Sequence, residues 1–204
     1  MKMVGVGNYL KLKVVLPLYV GLSIFSTPHN NLCLVNNFND ANFVKIVKEQ
    51  ITTNKKIFDE KSRKLRIRSI MPRSEKYLDS LFAYSKEYNV NPEDIAAIIQ
   101  NESSWRYGVI SKKGAIGLMQ INSEYHKIKN PINPYENMRV GIKYFGELKT
   151  KYKKPEVSYA AYNAGPTRVD EWIFKGWNGD YKTIPYKETR EYVKRINSTI
   201  DDLM

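Results

Sequence analysis

At 204 residues, 42% hydrophobic and 26% charged, the chain has room for one ordinary domain with some extra sequence, and its composition excludes a disordered protein. The formal charge of +12 is unevenly placed: residues 1–72 carry 12 Lys and Arg against 4 Asp and Glu, and residues 73–204 carry 21 against 17. One cysteine, Cys33, excludes an intramolecular disulfide; with only His29 and His126 beside it, no thiol–metal site is expected and no cofactor is called for.

Residues 1–28 join a basic start (Lys2, Lys11, Lys13) to a 12-residue apolar run, Val14 to Phe25, and the helix-stopping Pro28. That order predicts a signal peptide or signal anchor, too short for the roughly 20 residues of a full span. Export to the periplasm or cell envelope follows, with membrane association through this segment if it is not cleaved. Residues 29–72 predict a basic linker or stalk. Its first part is Asn-rich; from residue 41 it is helix-compatible, with Lys55, Lys56, Lys61, Arg63, Lys64, Arg66 and Arg68. Phe43, Ile46, Val47, Ile51 and Phe58 are too few for a core of their own. A basic segment of this kind attracts polyanions in general; for an exported chain, nucleic acid is not the expected partner.

The pattern changes at Arg73, and residues 73–204 are expected to form the main folded domain. Leu78, Leu81, Phe82 and Tyr88 predict a helix over 75–88. Asn91-Pro92-Glu93-Asp94 then offers a capping residue, a first-position proline and first-turn acids. Ile95, Ile98 and Ile99 form the buried stripe of that helix, and Glu102 lies on the same face, four residues after Ile98 and three after Ile99. A carboxyl held against an apolar surface keeps its proton to higher pH, as a general acid near neutrality requires. A frayed, solvent-facing glutamate at a helix end is the plainer alternative.

Gly114-Ala115-Ile116-Gly117 demands tight backbone, and Gln120 stands among Leu118, Met119 and Ile121, where an amide must find a partner or face a ligand. Asn133-Pro134 opens another helix, with Met138, Ile142, Phe145, Leu148 and Tyr152 as its stripe. A short helix over 157–163 is closed by Gly165-Pro166, which leaves Tyr162 and Asn163 at its end. Residues 169–174 and 186–203 predict the last two helices. In the second, Glu188 and Tyr192 share a face, a spacing that an ordinary surface contact also explains. No phosphate-binding glycine loop and no Ser-His-Asp or Cys-His set is found.

Four segments, N-E-S-S-W (101–105), S-K-K-G-A-I-G-L-M-Q-I (111–121), A-Y-N-A-G-P-T-R-V (161–169) and I-P-Y-K-E-T-R-E-Y-V (184–193), together resemble the soluble lytic transglycosylase family in order and spacing. The resemblance implies a mainly α, lysozyme-like catalytic domain similar also to goose-type lysozymes. It further implies cleavage of the β-1,4 bond between N-acetylmuramic acid and N-acetylglucosamine in peptidoglycan glycan strands. By the same resemblance Glu102 is the catalytic acid and base, with Ser103 and Ser111 close to it. Gln120 contacts glycan, Tyr162 and Asn163 line the site, and Glu188 and Tyr192 close over it. Asn122-Ser123 stands where relatives often have Met-Pro. No second acid pairs with Glu102 in the 98–121 stretch, although glycosidases ordinarily use two carboxylates. A substrate whose own N-acetyl group and 6-hydroxyl take part removes that need and leaves 1,6-anhydromuramic ends. A hydrolytic muramidase of the same fold and a non-catalytic peptidoglycan-binding protein are the alternatives.

Overall fold

The computed structural model describes residues 41–204; the signal or anchor expected over 1–28, Cys33, His29 and the start of the stalk lie outside the described residues. The chain divides into two units at Thr52 and Thr53. Of the first, the described residues are the opening turns of helix α1 (Ala41–Ile70), where Val44, Ile46, Val47 and Ile51 are exposed.

The regular structure of the second unit is helical, as the periodicity requires. From Thr53, α1 runs on to Ile70, so the compact unit begins ahead of the change of pattern at Arg73. Its last turns hold Ile67, which is fully buried, followed by Met71. A 3-10 turn, Pro72–Tyr77, leads into α2 (Leu78–Glu87), so the helix expected over 75–88 starts as a tighter coil. The remaining helices are α3 (Pro92–Ser103), α4 (Pro134–Tyr152), α5 (Pro155–Ala164), α6 (Pro166–Phe174) and α7 (Lys187–Leu203). Four of them open on proline, whose fixed φ suits a first helical position and whose missing N–H would have had no partner there. No strand forms among the described residues; isolated bridges pair Ile116 with Ile110 and with Ile121.

The two Asn-Pro starts behave differently. Asn133 caps α4, its side-chain oxygen accepting from the backbone N–H of Tyr135 at 3.0 Å and of Glu136 at 3.2 Å. Asn91 makes no side-chain cap, against expectation; its Oδ1 accepts from Arg63 Nη2 at 2.8 Å. The nearby guanidinium is a stronger donor than a neutral backbone N–H and takes the oxygen.

Helix α3 is the centre of the unit. Ile95, Ala96, Ala97, Ile98 and Ile99 are all fully buried, against α2 on one side and α7 on another. Helix α5 packs on α4, α6 and α7, and Ala160 and Ala161 let it approach closely. Each buried isoleucine stabilises the fold by roughly 2 kcal/mol. The stripe therefore supplies enough to hold a costly polar group at the helix end.

Candidate active site

Glu102 occupies the last turn of α3, half-buried. Ser104 and Trp105, with φ of 51° and 63°, turn the chain sharply away and close the helix behind it. Desolvation by the apolar surroundings pushes the Glu102 carboxyl up to about 7, against opposing effects from a Tyr192 hydrogen bond and the Arg195 charge. Tyr192 Oη donates to Glu102 Oε1 at 2.8 Å from α7, where its ring is 3% exposed. Arg195 is held one turn further on by donating Nε to Asn101 Oδ1 at 3.0 Å. Burial and the adjacent Glu102 charge hold both the Tyr192 and the Tyr162 hydroxyls well above their ordinary range, so both remain protonated donors. No second carboxylate touches Glu102 among the described residues.

Tyr162, near the end of α5, donates its hydroxyl to the Met119 carbonyl at 2.8 Å. Its ring starts a short aromatic series: Tyr144 lies 5.5 Å away and His126 a further 4.5 Å beyond, edge-on. Burial pushes the Tyr144 hydroxyl up to about 12 and lowers the His126 imidazole, which is therefore neutral at pH 7. Asn163 Oδ1 accepts from Thr189 Oγ1 at 2.8 Å, which ties the end of α5 to the start of α7.

The loop between α3 and α4 is built by side chains bonding to backbone. Ser111 Oγ accepts from Ala115 N at 3.0 Å and Lys113 N at 3.3 Å, folding the Gly114 turn over itself. Gln120 takes a left-handed φ of 49° and donates Nε2 to the carbonyls of Gly117 at 3.0 Å and Val109 at 3.2 Å. Its side-chain carbonyl accepts from no described residue. Gly117 has φ of 83°, and a Cβ there would stand 2.5 Å from Asn137 Nδ2.

The expected residues thus divide. Glu102, Tyr192 and Tyr162 are brought together, with Gln120 and Asn163 anchoring the segments around them. Ser103 is adjacent in sequence but points the other way. It is 2% exposed and donates to the Leu118 carbonyl at 2.8 Å, which bolts α3 to the loop. Ser111 likewise holds the loop. Glu188 is exposed on the first turn of α7, and its side chain makes no hydrogen bond or ion pair among the described residues.

Asn137 escaped the sequence reading. Fully buried on α4, it donates Nδ2 to the carbonyls of Ile116 at 2.7 Å and Pro131 at 2.9 Å and accepts from Met119 N at 2.9 Å. Its signal was an amide directly beside Met138 on an apolar stripe. Thr189 and the Tyr144–His126 pair were missed as well, because their partners lie on other elements.

The transglycosylase SLT domain model matches residues 79–184, the stretch that contains the acid, the loop and the Tyr162-Asn163 pair. The soluble lytic murein transglycosylase of Escherichia coli K12 is 31% identical over 139 residues, 59% of this chain and 22% of that protein. Its Salmonella typhimurium counterpart is 30% identical over the same shares. Among solved structures, an inactive mutant of the Pseudomonas aeruginosa lytic transglycosylase Slt aligns with TM-score 0.56 and 28% identity, over 64% of this chain and 24% of that one. The 70 kDa soluble lytic transglycosylase of E. coli gives 0.57 and 27%, over 64% and 25%. The chain spans about a quarter or less of the length of each. A lone desolvated carboxyl closing a buried helix, on an all-helical frame matched over half its length by that domain model, places the chain in the transglycosylase SLT domain family.

Proposed function

We propose that the protein is a peptidoglycan lytic transglycosylase that cuts the β-1,4 bond between N-acetylmuramic acid and N-acetylglucosamine. The observation that carries this reading is Glu102 itself: one carboxyl, kept protonated to about pH 7 by burial, with a tyrosine hydroxyl in contact and, among the described residues, no second carboxylate. A site of that kind donates a proton well and offers no carboxylate nucleophile.

In the proposed reaction Glu102 gives its proton to the glycosidic oxygen as the bond to the muramic C1 breaks. The N-acetyl group of the same sugar stabilises the developing cation. Glu102, now a carboxylate, takes the proton of the 6-hydroxyl as that oxygen bonds to C1, which leaves a 1,6-anhydro ring and restores the acid. No water is consumed. Tyr192 donates to the carboxylate and stabilises it between the two steps. Relatives bearing soluble and membrane-bound lytic murein transglycosylase names support the substrate class.

The same reading makes residues 1–28 an export signal or anchor and the cell envelope the place of action. No helix among the described residues is long and apolar enough to cross a membrane. Digestion of purified sacculi followed by mass spectrometry tests the chemistry. Anhydromuramic ends are expected, and products heavier by one water would make the protein a hydrolase. A Glu102→Gln protein that still solubilised sacculi would remove the acid from its role.

A further inference from the structure

Helix α7 grips the last turn of α3 at two points, and the Tyr192 hydroxyl on Glu102 is only one of them. Arg195, three residues after Tyr192 and on the same face of α7, donates Nε to Asn101 Oδ1 at 3.0 Å. Asn101 stands immediately before the acid. Its other amide end is fixed as well, Nδ2 donating to the Ala97 carbonyl at 2.9 Å within α3. The guanidinium therefore rests on a support that is itself pinned, and its two terminal nitrogens are uncommitted among the described residues.

The kind of anchor decides what the charge can do. Arg63, Arg68 and Arg139 are each engaged with a glutamate (Glu93, Glu75 and Glu87), which cancels most of their field. Asn101 is neutral, so it fixes Arg195 without cancelling its charge. Glu191, the acid one turn earlier on α7, forms no ion pair with it among the described residues. The charge is felt at Glu102, where it favours the ionised form against burial, and at Tyr192. The other groups turned toward the carboxyl, Tyr192 from α7 and Tyr162 from α5, both stay neutral. Helix α2, packed on another side of α3, presents no charge that acts on Glu102 among the described residues.

A cation in direct contact would hold Glu102 ionised and deprive the first step of its proton. Arg195 instead is exposed and bonded to the neighbouring residue, where water and salt weaken its pull. We propose that Arg195, anchored on Asn101, is a positioning residue whose uncancelled charge favours the Glu102 carboxylate formed between the two steps and makes the alkaline limit of activity depend on ionic strength. This rests on Glu102 being the acid of the proposed reaction.

Titrating Glu102 by NMR tests the charge without any substrate. The full-length protein is labelled at its glutamate carboxyl carbons, and the Glu102 signal is the one missing from Glu102→Gln. Arg195→Gln, which keeps a donor for Asn101 but no charge, is expected to raise the midpoint of that signal by about half a pH unit. Arg195→Lys, which keeps the charge, should leave the midpoint close to wild type. Going from about 0.01 M to about 1 M salt cuts the screening length from about 30 Å to about 3 Å and should raise the wild-type midpoint. In Arg195→Gln that rise should be halved or less. A midpoint and a salt response unchanged by Arg195→Gln would overturn the proposal, whatever the protein cleaves.

Kinetics on sacculi supply the second readout. Arg195→Gln is expected to move the descending limb of the kcat/KM profile to higher pH by the same half unit. Its peak kcat should fall about threefold, the rate equivalent of that shift, with KM unchanged and with recovery in Arg195→Lys. Equal losses in the two variants with an unmoved limb would make Arg195 a clamp between helices and nothing more. If wild type cleaves no sacculi, the function reading fails and the titration still decides what the charge does.

Discussion

Tyr192 Oη donates to Glu102 Oε1 at 2.8 Å, which joins the last turn of α3 to the middle of α7 across ninety residues of chain. The bond opposes burial: desolvation favours the neutral acid, and a donor aimed at its oxygen favours the carboxylate. The result is a group poised near neutrality instead of locked in its protonated form. A proton donor that must become a base within one turnover needs that balance.

Activity should therefore fall as pH rises through about 7, where Glu102 loses the proton that the first step uses. Tyr192→Phe removes the influence that pulls the carboxyl down, so the descending limb of the kcat/KM profile should move to higher pH. Peak kcat should drop by roughly ten- to a hundredfold, because the carboxylate between the two steps loses its donor. A profile of Tyr192→Phe superimposable on wild type would remove the tyrosine from proton control.

The same burial sets a stability trend. The folded state raises Glu102 from its ordinary 4.5 to about 7, so it binds this proton more tightly than the unfolded chain does. The contribution is fully present below pH 4.5 and is lost as pH climbs through 7. Asp94, raised chiefly by burial, adds in the same direction. Glu102→Gln, which mimics the neutral acid, should be the more stable protein at pH 8, by on the order of 2 kcal/mol, and close to wild type at pH 5. Urea melts at the two pH values check this; a gap of equal size at both would refute it.

Asn137 holds the loop through three buried hydrogen bonds to Ile116, Pro131 and Met119. Asn137→Ala strands the Met119 N–H and the Pro131 carbonyl, whereas the Ile116 carbonyl keeps the Ile121 N–H; the loss is about 2–3 kcal/mol if no water enters. Because Met119 also carries the carbonyl that Tyr162 bonds, turnover should fall beyond what the loss of stability explains. Activity of the still-folded fraction at low temperature is the readout, and full specific activity there would leave Asn137 a purely structural residue.

The frame and its acid were legible in the sequence for local reasons. Ile98 and Ile99 put Glu102 on a buried face, and the Asn-Pro pairs marked where α3 and α4 begin. Contacts between elements were not legible from periodicity. It gives the face of α7 on which Tyr192 lies but not the helix opposite, and only the family resemblance tied that tyrosine to Glu102. Ser103 could not be read as inward-facing, because its orientation depends on the Leu118 carbonyl. Nor did anything distinguish Arg63, within a run of basic residues, from its solvated neighbours.

Yet Arg63 is the residue that fastens α1 to the catalytic helix. Its guanidinium donates Nε to Glu93 Oε1 at 2.7 Å and Nη2 to Glu93 Oε2 at 2.5 Å, with Asn91 on the same nitrogen. Glu93 is only 7% exposed, so without its partner it would remain a nearly buried, uncompensated carboxylate. Three residues on, Arg66 Nη1 donates to the carbonyls of Leu203 and Met204, both at 2.7 Å, at the end of α7. One helix thus braces the start of α3 and the end of α7, the two elements that carry Glu102 and Tyr192. Since Arg63 is itself about a third exposed, Arg63→Ala should cost about 2 kcal/mol, short of the full penalty for breaking a buried pair. Arg63→Lys should recover little, because an ammonium cannot make the two-pronged contact. Most of the loss comes from the stranded carboxylate, so Arg63→Ala/Glu93→Gln should be more stable than Arg63→Ala alone. Thermal melts of the four proteins in the cycle decide it, and strict additivity of the two single losses would show that the pair is not coupled.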